Sequence, residues 1–176
     1  MDMNSYEYMV DQKGKKKWKT IKLLVVLAYA AFAGAYFGIV YLSKFLPLGA
    51  LIPLAVWILA FFTWRYTKPV YKFSFDSGAF IYTIVYGDRT KREKVRTRIS
   101  AAKMIAPIAD VMNSEDAKNA SRVYDASNAN YSNLPIYGML FEENGKLALI
   151  KFNVNKDAIK CLRYYNQNTV VIQVAE

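Results

Sequence analysis

The sequence predicts an α+β membrane protein, in which a two-helix transmembrane hairpin precedes an antiparallel β-rich domain with a C-terminal helix. Leu23–Ser43 and Phe45–Trp64 are apolar runs without a charged residue, and each has about the 20 residues that a bilayer-crossing helix needs. From Tyr71 onward, apolar residues alternate with polar ones at the period of two that is typical of strands. We therefore expect a basic segment over residues 1–20, the hairpin over 21–66 and a cytoplasmic β-rich domain over 69–176.

Basic residues beside the two apolar runs predict where the termini lie. A lysine cluster within residues 13–19 precedes the first run, Arg65 and Lys68 follow the second, and the short connection holds only Lys44. Lys and Arg next to a span stay on the cytoplasmic side. We therefore expect a multi-pass protein of the cytoplasmic membrane with both termini in the cytoplasm. A cleaved signal peptide is the less favoured alternative, because the first run is too long for one and a second run follows.

Small residues recur at four-residue spacing in the first run, at Ala30, Gly34 and Gly38. Such a stripe lets another helix backbone approach closely. Packing against the second run of the same chain is the favoured interpretation, and dimerisation is the alternative. Neither run contains Asp, Glu, Lys or Arg, which argues against an ion or proton path through the membrane.

Turn residues divide the soluble part into two β-hairpins. Asp76-Ser77-Gly78 separates the runs 71–75 and 80–86, and Asn144-Gly145 separates the runs 136–142 and 146–153. Asn155 offers an N-cap to a helix over Lys156–Tyr165, where apolar residues have helical spacing. We expect two other segments to be irregular: a frayed terminus over residues 1–10, and a long surface loop over residues 113–133 with a short helix near 115–120.

A third strand over Glu93–Ser100 carries an unusual row of cations. Its alternation points one set of side chains away from Val95, and that set is Arg92, Lys94, Arg96 and Arg98. One hypothesis is that this basic strip lies on anionic phospholipid headgroups or binds an acidic partner. The other is a solvated sheet face or edge, on which positive charge prevents the addition of a further strand. The solvated sheet face or edge is the favoured interpretation.

Composition excludes several classes of chemistry. The chain has a formal net charge of +10, no histidine and one cysteine, Cys161. The commonest general base and metal ligand is therefore missing, and neither an internal disulfide nor a cysteine-based zinc site can form. The carboxylates fall in or beside turns, so we expect no enzyme, no metal and no cofactor. Nucleic acid is not expected as a partner of a chain with a bilayer anchor.

Three short matches and the order of elements carry a family resemblance. The matches are Met104-Ile105-Ala106-Pro107 after a strand, Tyr124-Asp125-Ala126-Ser127 in the loop, and the Asn144-Gly145 hairpin before the helix. The chain resembles a family of small two-span membrane proteins of unknown function, from Gram-positive anaerobic bacteria, with a pleckstrin-homology-like (PH-like) cytoplasmic domain. The resemblance implies a PH-like fold and no particular activity, because such folds serve different ligands.

Two functions are expected from these observations together. The first is a membrane-anchored binding or scaffolding module at the cytoplasmic face. Its expected partners are the lipid bilayer and either anionic phospholipid, an acidic partner or a membrane protein. The alternative is a small accessory subunit of a larger membrane complex, assembled through Gly34 and Gly38.

Overall fold

The computed structural model describes residues 5–12, 14–44, 46–87, 90–130 and 134–170. These residues form two compact units. The helical unit takes its residues from 12–69 and 86–90, and the β unit takes its residues from 1–11, 70–85 and 91–176. Each unit has its own architecture, and the chain passes between them more than once.

The helical unit begins with α1, Lys16–Ser43, which ends where Lys44 adopts a left-handed backbone with φ of 56°. A 3₁₀ helix at Leu46–Leu51, helix α2 at Ile52–Thr63 and a second 3₁₀ helix at Trp64–Thr67 follow. In the part of the chain that the structure describes, α1 alone is long and apolar enough to cross a membrane as one α-helix. The second apolar run is therefore divided among three helical pieces instead of forming one long helix.

The first sheet of the β unit contains β1 (Ser5–Asp11), β2 (Pro69–Asp76), β3 (Ala79–Tyr86) and β4 (Thr90–Arg98), in the order β1-β2-β3-β4. The predicted β2–β3 hairpin is confirmed. The third strand is present as β4, but it ends at Arg98, because Ile99–Ala101 form a 3₁₀ helix. The expectation of a frayed terminus is wrong for residues 5–10, because β1 pairs antiparallel with β2 from Ser5↔Asp76 to Asp11↔Val70. The apolar segment is thus inserted between two paired strands.

The second sheet contains β5 (Met104–Pro107), β6 (Arg122–Ala126), β7 (Ile136–Glu143) and β8 (Lys146–Asn153), in the order β5-β7-β8-β6. The predicted β7–β8 hairpin is confirmed. The expected long loop is wrong, because β6 lies within it and pairs with β8 in parallel, so the sheet is not purely antiparallel. Helices α3 (Ile108–Asn113) and α4 (Glu115–Lys118) precede β6, and α4 confirms the expected short helix.

Local sequence chemistry determines the last helix, α5, which covers Lys156–Tyr165 as predicted. Its N-cap is Asn155, whose side-chain oxygen accepts a hydrogen bond from the Ala158 backbone nitrogen at 2.8 Å. The tight turn before β8 is equally local, since Asn144 and Gly145 have φ of 52° and 74°, the positive values that a type I′ hairpin requires.

Aromatic side chains from both sheets form the centre of the β unit. The rings of Phe73, Phe80 and Phe152 lie with centroids 5.0–6.1 Å apart, and all three side chains are fully buried. Phe73 and Phe80 come from the first sheet, whereas Phe152 comes from β8 in the second. Such ring contacts add stabilisation beyond the apolar area that they bury. The two sheets therefore share one core.

Candidate membrane anchor and basic surface

The helical unit exposes large apolar side chains along both helices. On α1 they include Leu23, Leu24, Val26, Leu27, Phe32, Phe37, Ile39 and Leu42, and on α2 they include Leu54, Trp57, Ile58, Phe61 and Phe62. Contiguous apolar surface of this extent is rare on soluble monomers, because each Å² left in water costs about 25 cal/mol. The unit is suited to surroundings of hydrocarbon.

The helices α1 and α2 contact each other along one face of each. On α1 this face carries less exposed residues that recur every three to four positions: Val25, Tyr29, Ala33, Tyr36 and Val40. The hydroxyls of Tyr29 and Thr63 hydrogen-bond to each other, and Thr63 also donates to the Leu59 carbonyl at 2.6 Å. Polar side chains on the facing sides are thus satisfied within the unit.

The small-residue stripe lies on the other side of α1. Ala30 and Gly34 are exposed and Gly38 is half-buried. At 3.6 residues per turn, the stripe is rotated by roughly 140° from the face that contacts α2. A Cβ placed on Gly34 or Gly38 would meet no atom within 4 Å among the described residues. The favoured interpretation, packing against the second run, therefore has no contact to support it at these two glycines.

A tyrosine and asparagine network fastens β1, the strand that leads into the helical unit. The Tyr8 hydroxyl donates to the Asn153 carbonyl at 2.6 Å, and the Asn155 amide donates to the Tyr6 hydroxyl at 2.6 Å. The Asn128 amide donates to the carbonyl of Asp11 at 2.8 Å. Burial raises the pKa of Tyr8 well above its usual value, so this hydroxyl stays protonated and remains a donor.

The predicted alternation of the basic strip holds in the second half of β4 but not before Val95, where Glu93 is exposed and Lys94 is half-buried. Val95 is buried on one side of β4, whereas Arg92, Arg96 and Arg98 are exposed and Lys94 is half-buried. In the described part of the chain, β4 lies at the edge of its sheet. This placement is compatible with both interpretations of the strip, since an edge needs charge and a ligand needs access.

One cation of the strip is already paired. Arg96 donates from Nε and Nη2 to the two carboxylate oxygens of Glu93, at 2.9 and 3.0 Å. These hydrogen bonds raise the pKa of Arg96 and lower the pKa of Glu93. Arg92, Lys94 and Arg98 are in ion-pair distance of no carboxylate that the structure describes. They are the cations of the strip that an external anion can reach.

The family model described as Bacterial PH-like domain (DUF6106) matches residues 3–172. The chain belongs to this family. The match includes both sheets, α5 and the inserted helices, so the apolar segment lies inside the family's domain. No curated protein matches the chain, and no solved structure does.

The PH-like protein contains a polar network that sequence reasoning missed. Arg122 donates to the Tyr124 hydroxyl at 3.0 Å and to Glu143 at 3.2 Å, and the same tyrosine donates to Glu143 at 2.9 Å. A shallow cavity of about 320 Å³ adjoins Arg122 and Glu143. The network joins β6 to β7 across β8 and could not be found without the parallel pairing of β6. Its charges satisfy each other, which leaves no evident recognition chemistry.

Two observations concern the cysteine and the metal-ligand residue types of the PH-like protein. Cys161 is fully buried in α5, as the sequence predicts for a small apolar side chain, and burial raises the pKa of its thiol. A thiol with a raised pKa is a poor nucleophile at neutral pH. Among the described residues, no group of three or more His, Cys, Asp or Glu side chains could hold a metal ion.

Proposed function

We propose that this PH-like protein is a membrane-anchored binding module, with its helices crossing the cytoplasmic membrane as a hairpin and both termini in the cytoplasm. The observation that carries the proposal is the pairing of β1 with β2 across the apolar insertion. Asp11 and Val70 are register partners, so the chain enters and leaves the insertion at points about 5 Å apart. Two points so close lie on the same side of a membrane, which requires an even number of crossings.

The length of the second helical stretch supports two crossings. Leu46–Thr67 consists of 3₁₀ helices of 6 and 4 residues around an α-helix of 12. At about 1.5 Å per α residue and 2.0 Å per 3₁₀ residue, the three pieces laid end to end add up to about 38 Å. A bilayer's hydrocarbon core is about 30 Å thick. The three helical pieces together are therefore long enough to cross the hydrocarbon core, whereas α2 alone is too short.

The binding face that we propose is the outward side of β4. Arg92, Lys94 and Arg98 offer cations without a described carboxylate partner. The cytoplasmic leaflet supplies anionic headgroups to any domain anchored beside it. Anionic phospholipid is therefore the proposed ligand of the basic strip, and an acidic partner protein is the competing one.

Hydrogen–deuterium exchange of the full chain in nanodiscs tests this proposal. Discs with phosphatidylglycerol should slow exchange in the peptide covering residues 91–98 several-fold relative to discs of phosphatidylcholine, because bound headgroups exclude water. Replacing Arg92, Lys94 and Arg98 by Gln should remove the difference, whereas K160Q with R163Q on α5 should not. Equal exchange in both discs removes lipid as the ligand. Slowing that appears only when an acidic protein is added identifies the competing partner class.

A second function, an accessory subunit of a larger membrane complex, is favoured by the open stripe of Ala30, Gly34 and Gly38. Small residues facing outward allow another transmembrane helix to approach the backbone of α1. Under this function, a partner that co-purifies stoichiometrically in mild detergent should be lost in the Gly34→Leu variant. The Ala28→Leu variant places the same bulk on another exposed part of α1 and should retain it. Equal recovery with both variants removes the stripe as an interface.

A further inference from the structure

The charge of the helical unit is concentrated at one end. Residues 12–69 contain no Asp or Glu, and their basic residues lie at the two ends of the apolar segment, except for Lys44. We name this set of side chains at the two ends the basic collar: Lys15, Lys16, Lys17, Lys19, Lys22, Arg65 and Lys68. The pairing of Asp11 with Val70 makes both ends of the segment start from one place, so the collar gathers there.

Aromatic contacts hold the collar together. The ring of Tyr86 lies 6.4 Å from that of Trp18 and 5.6 Å from that of Tyr66. Three segments far apart in sequence therefore meet: the first turn of α1, the end of the second helical stretch and the end of β3. Trp18 is 7% exposed although it follows three lysines, whereas Tyr86 is half-buried and Tyr66 is exposed, so the tryptophan is the packed member of this aromatic cluster.

Two cations of the collar lie beside rings of this aromatic cluster. Lys17 Nζ lies 5.7 Å from the centroid of the Trp18 ring, and Arg65 Cζ lies 5.7 Å from that of Tyr66. Lys16, Lys17, Lys19 and Lys68 are exposed, and the described residues place no carboxylate in ion-pair distance of them. Among the described residues, the positive charge of these four lysines is thus not neutralised by an ion pair.

We propose that the basic collar binds anionic phospholipids, with headgroup phosphates against its cations and acyl chains against the apolar side chains that follow. The exposed Leu23 and Leu24 come directly after Lys22, so the charged surface is continuous with the apolar one. Lysine stems bury along hydrocarbon while their ammonium groups reach the headgroups. Tryptophan and tyrosine are the residues enriched at this depth. A soluble anion would use the cations and leave the adjoining apolar surface uncovered.

This inference rests on the proposed hairpin, and it assigns a lipid site separate from the basic strip on β4. The test is native mass spectrometry of the full chain, released from detergent with phosphatidylglycerol or phosphatidylcholine of identical acyl chains. The wild-type protein should retain phosphatidylglycerol at a roughly tenfold lower lipid concentration. Raising the salt from about 0.1 M to about 0.5 M should remove the preference, because exposed charges are screened.

Replacement of Lys16, Lys17, Lys19 and Lys22 by Gln should abolish the preference, and replacement of the same four by Arg should keep it. A matched control removes four exposed charges from the β unit, at Lys146, Lys156, Lys160 and Arg163, and should keep it as well. If the Gln variant does not fold, the salt series on the wild-type protein decides. Equal retention of both lipids, or a preference that survives loss of the four lysines, overturns the inference.

Alkaline carbonate extraction of cell membranes distinguishes a failure of the collar lipid site from a failure of the proposed transmembrane hairpin. Wild-type protein that stays in the membrane pellet but shows no lipid preference leaves the anchor standing and removes the collar site. Wild-type protein released into the supernatant removes the hairpin, and the collar site falls with it.

Discussion

A cysteine that replaces Ala50 is expected to react with a membrane-impermeant maleimide added to intact cells, whereas one that replaces Ser100 should react only after permeabilisation. Ala50 is exposed in the connection between the apolar helices, and Ser100 is exposed in the β unit. Two crossings place these positions on opposite sides of the membrane. The native Cys161 is fully buried and should remain unlabelled in the folded protein, so each variant reports on one site.

Each cysteine should be either fully labelled or unlabelled in intact cells, because the pairing of β1 with β2 allows only an even number of membrane crossings. A single crossing would carry β2 to the far side of the membrane from β1, and the seven register pairs from Ser5↔Asp76 to Asp11↔Val70 could not form. Labelling of both variants only after permeabilisation would indicate that the hairpin does not cross. Labelling of the Ser100 variant in intact cells would indicate the opposite orientation, and the anionic cytoplasmic leaflet would no longer face the β unit.

The sequence predicted the elements that are determined by interactions between neighbouring residues. The β7–β8 turn needs two consecutive residues that accept positive φ, and Asn144-Gly145 supplies them. Helix α5 needs an N-cap and a helical apolar period, and Asn155 with the residues after it supplies both. Helix α1 ends at Lys44, the charged residue that separates the two apolar runs in the sequence. In each case the deciding interaction spans only a few residues.

Elements that depend on distant partners were missed. The signal for β1 was present, because Tyr6, Tyr8 and Val10 alternate with more exposed residues, yet its partner strand lies beyond the whole apolar insertion. Strand β6 has only one buried side chain, Ala126, so its sequence resembles that of a surface loop. Parallel hydrogen bonding with β8 therefore determines this strand, because its own side chains give no strand pattern of burial.

For the candidate surfaces too, the sequence predicted the features that follow from local spacing and missed those that depend on tertiary packing. Alternation alone located the basic strip, because a strand places every second residue on one side whatever its neighbours. It could not show that Glu93 pairs with Arg96, since residues three apart on an ideal strand point to opposite sides. The stripe on α1 was visible as spacing, but which face of α1 contacts the second helix depends on tertiary packing. The aromatic contacts of Tyr86 required the fold itself.

The Asn153→Ala variant is expected to destabilise the β unit by about 3–4 kcal/mol, because it leaves two buried backbone groups and one partly buried backbone group without their partner. The side chain is fully buried in β8. Its oxygen accepts from the Asn128 backbone nitrogen at 2.7 Å, and its amide donates to the carbonyls of Asn128 and Leu134 at 3.1 and 3.4 Å. Urea unfolding of the full chain in detergent, followed by hydrogen exchange of peptides from β8, measures the loss.

The effect should extend to β1 and so to the base of the helical anchor. Asn128, which Asn153 holds, donates through its side chain to Asp11, the last residue of β1. Exchange in the β1 peptide should therefore increase together with that in β8, whereas the exposed Asn168→Ala control should change stability by less than about 0.5 kcal/mol. If β8 loses protection and β1 keeps it, the asparagine network stabilises the second sheet alone. The entry to the insertion would then depend on the β1–β2 pairing and the two tyrosine hydroxyl contacts.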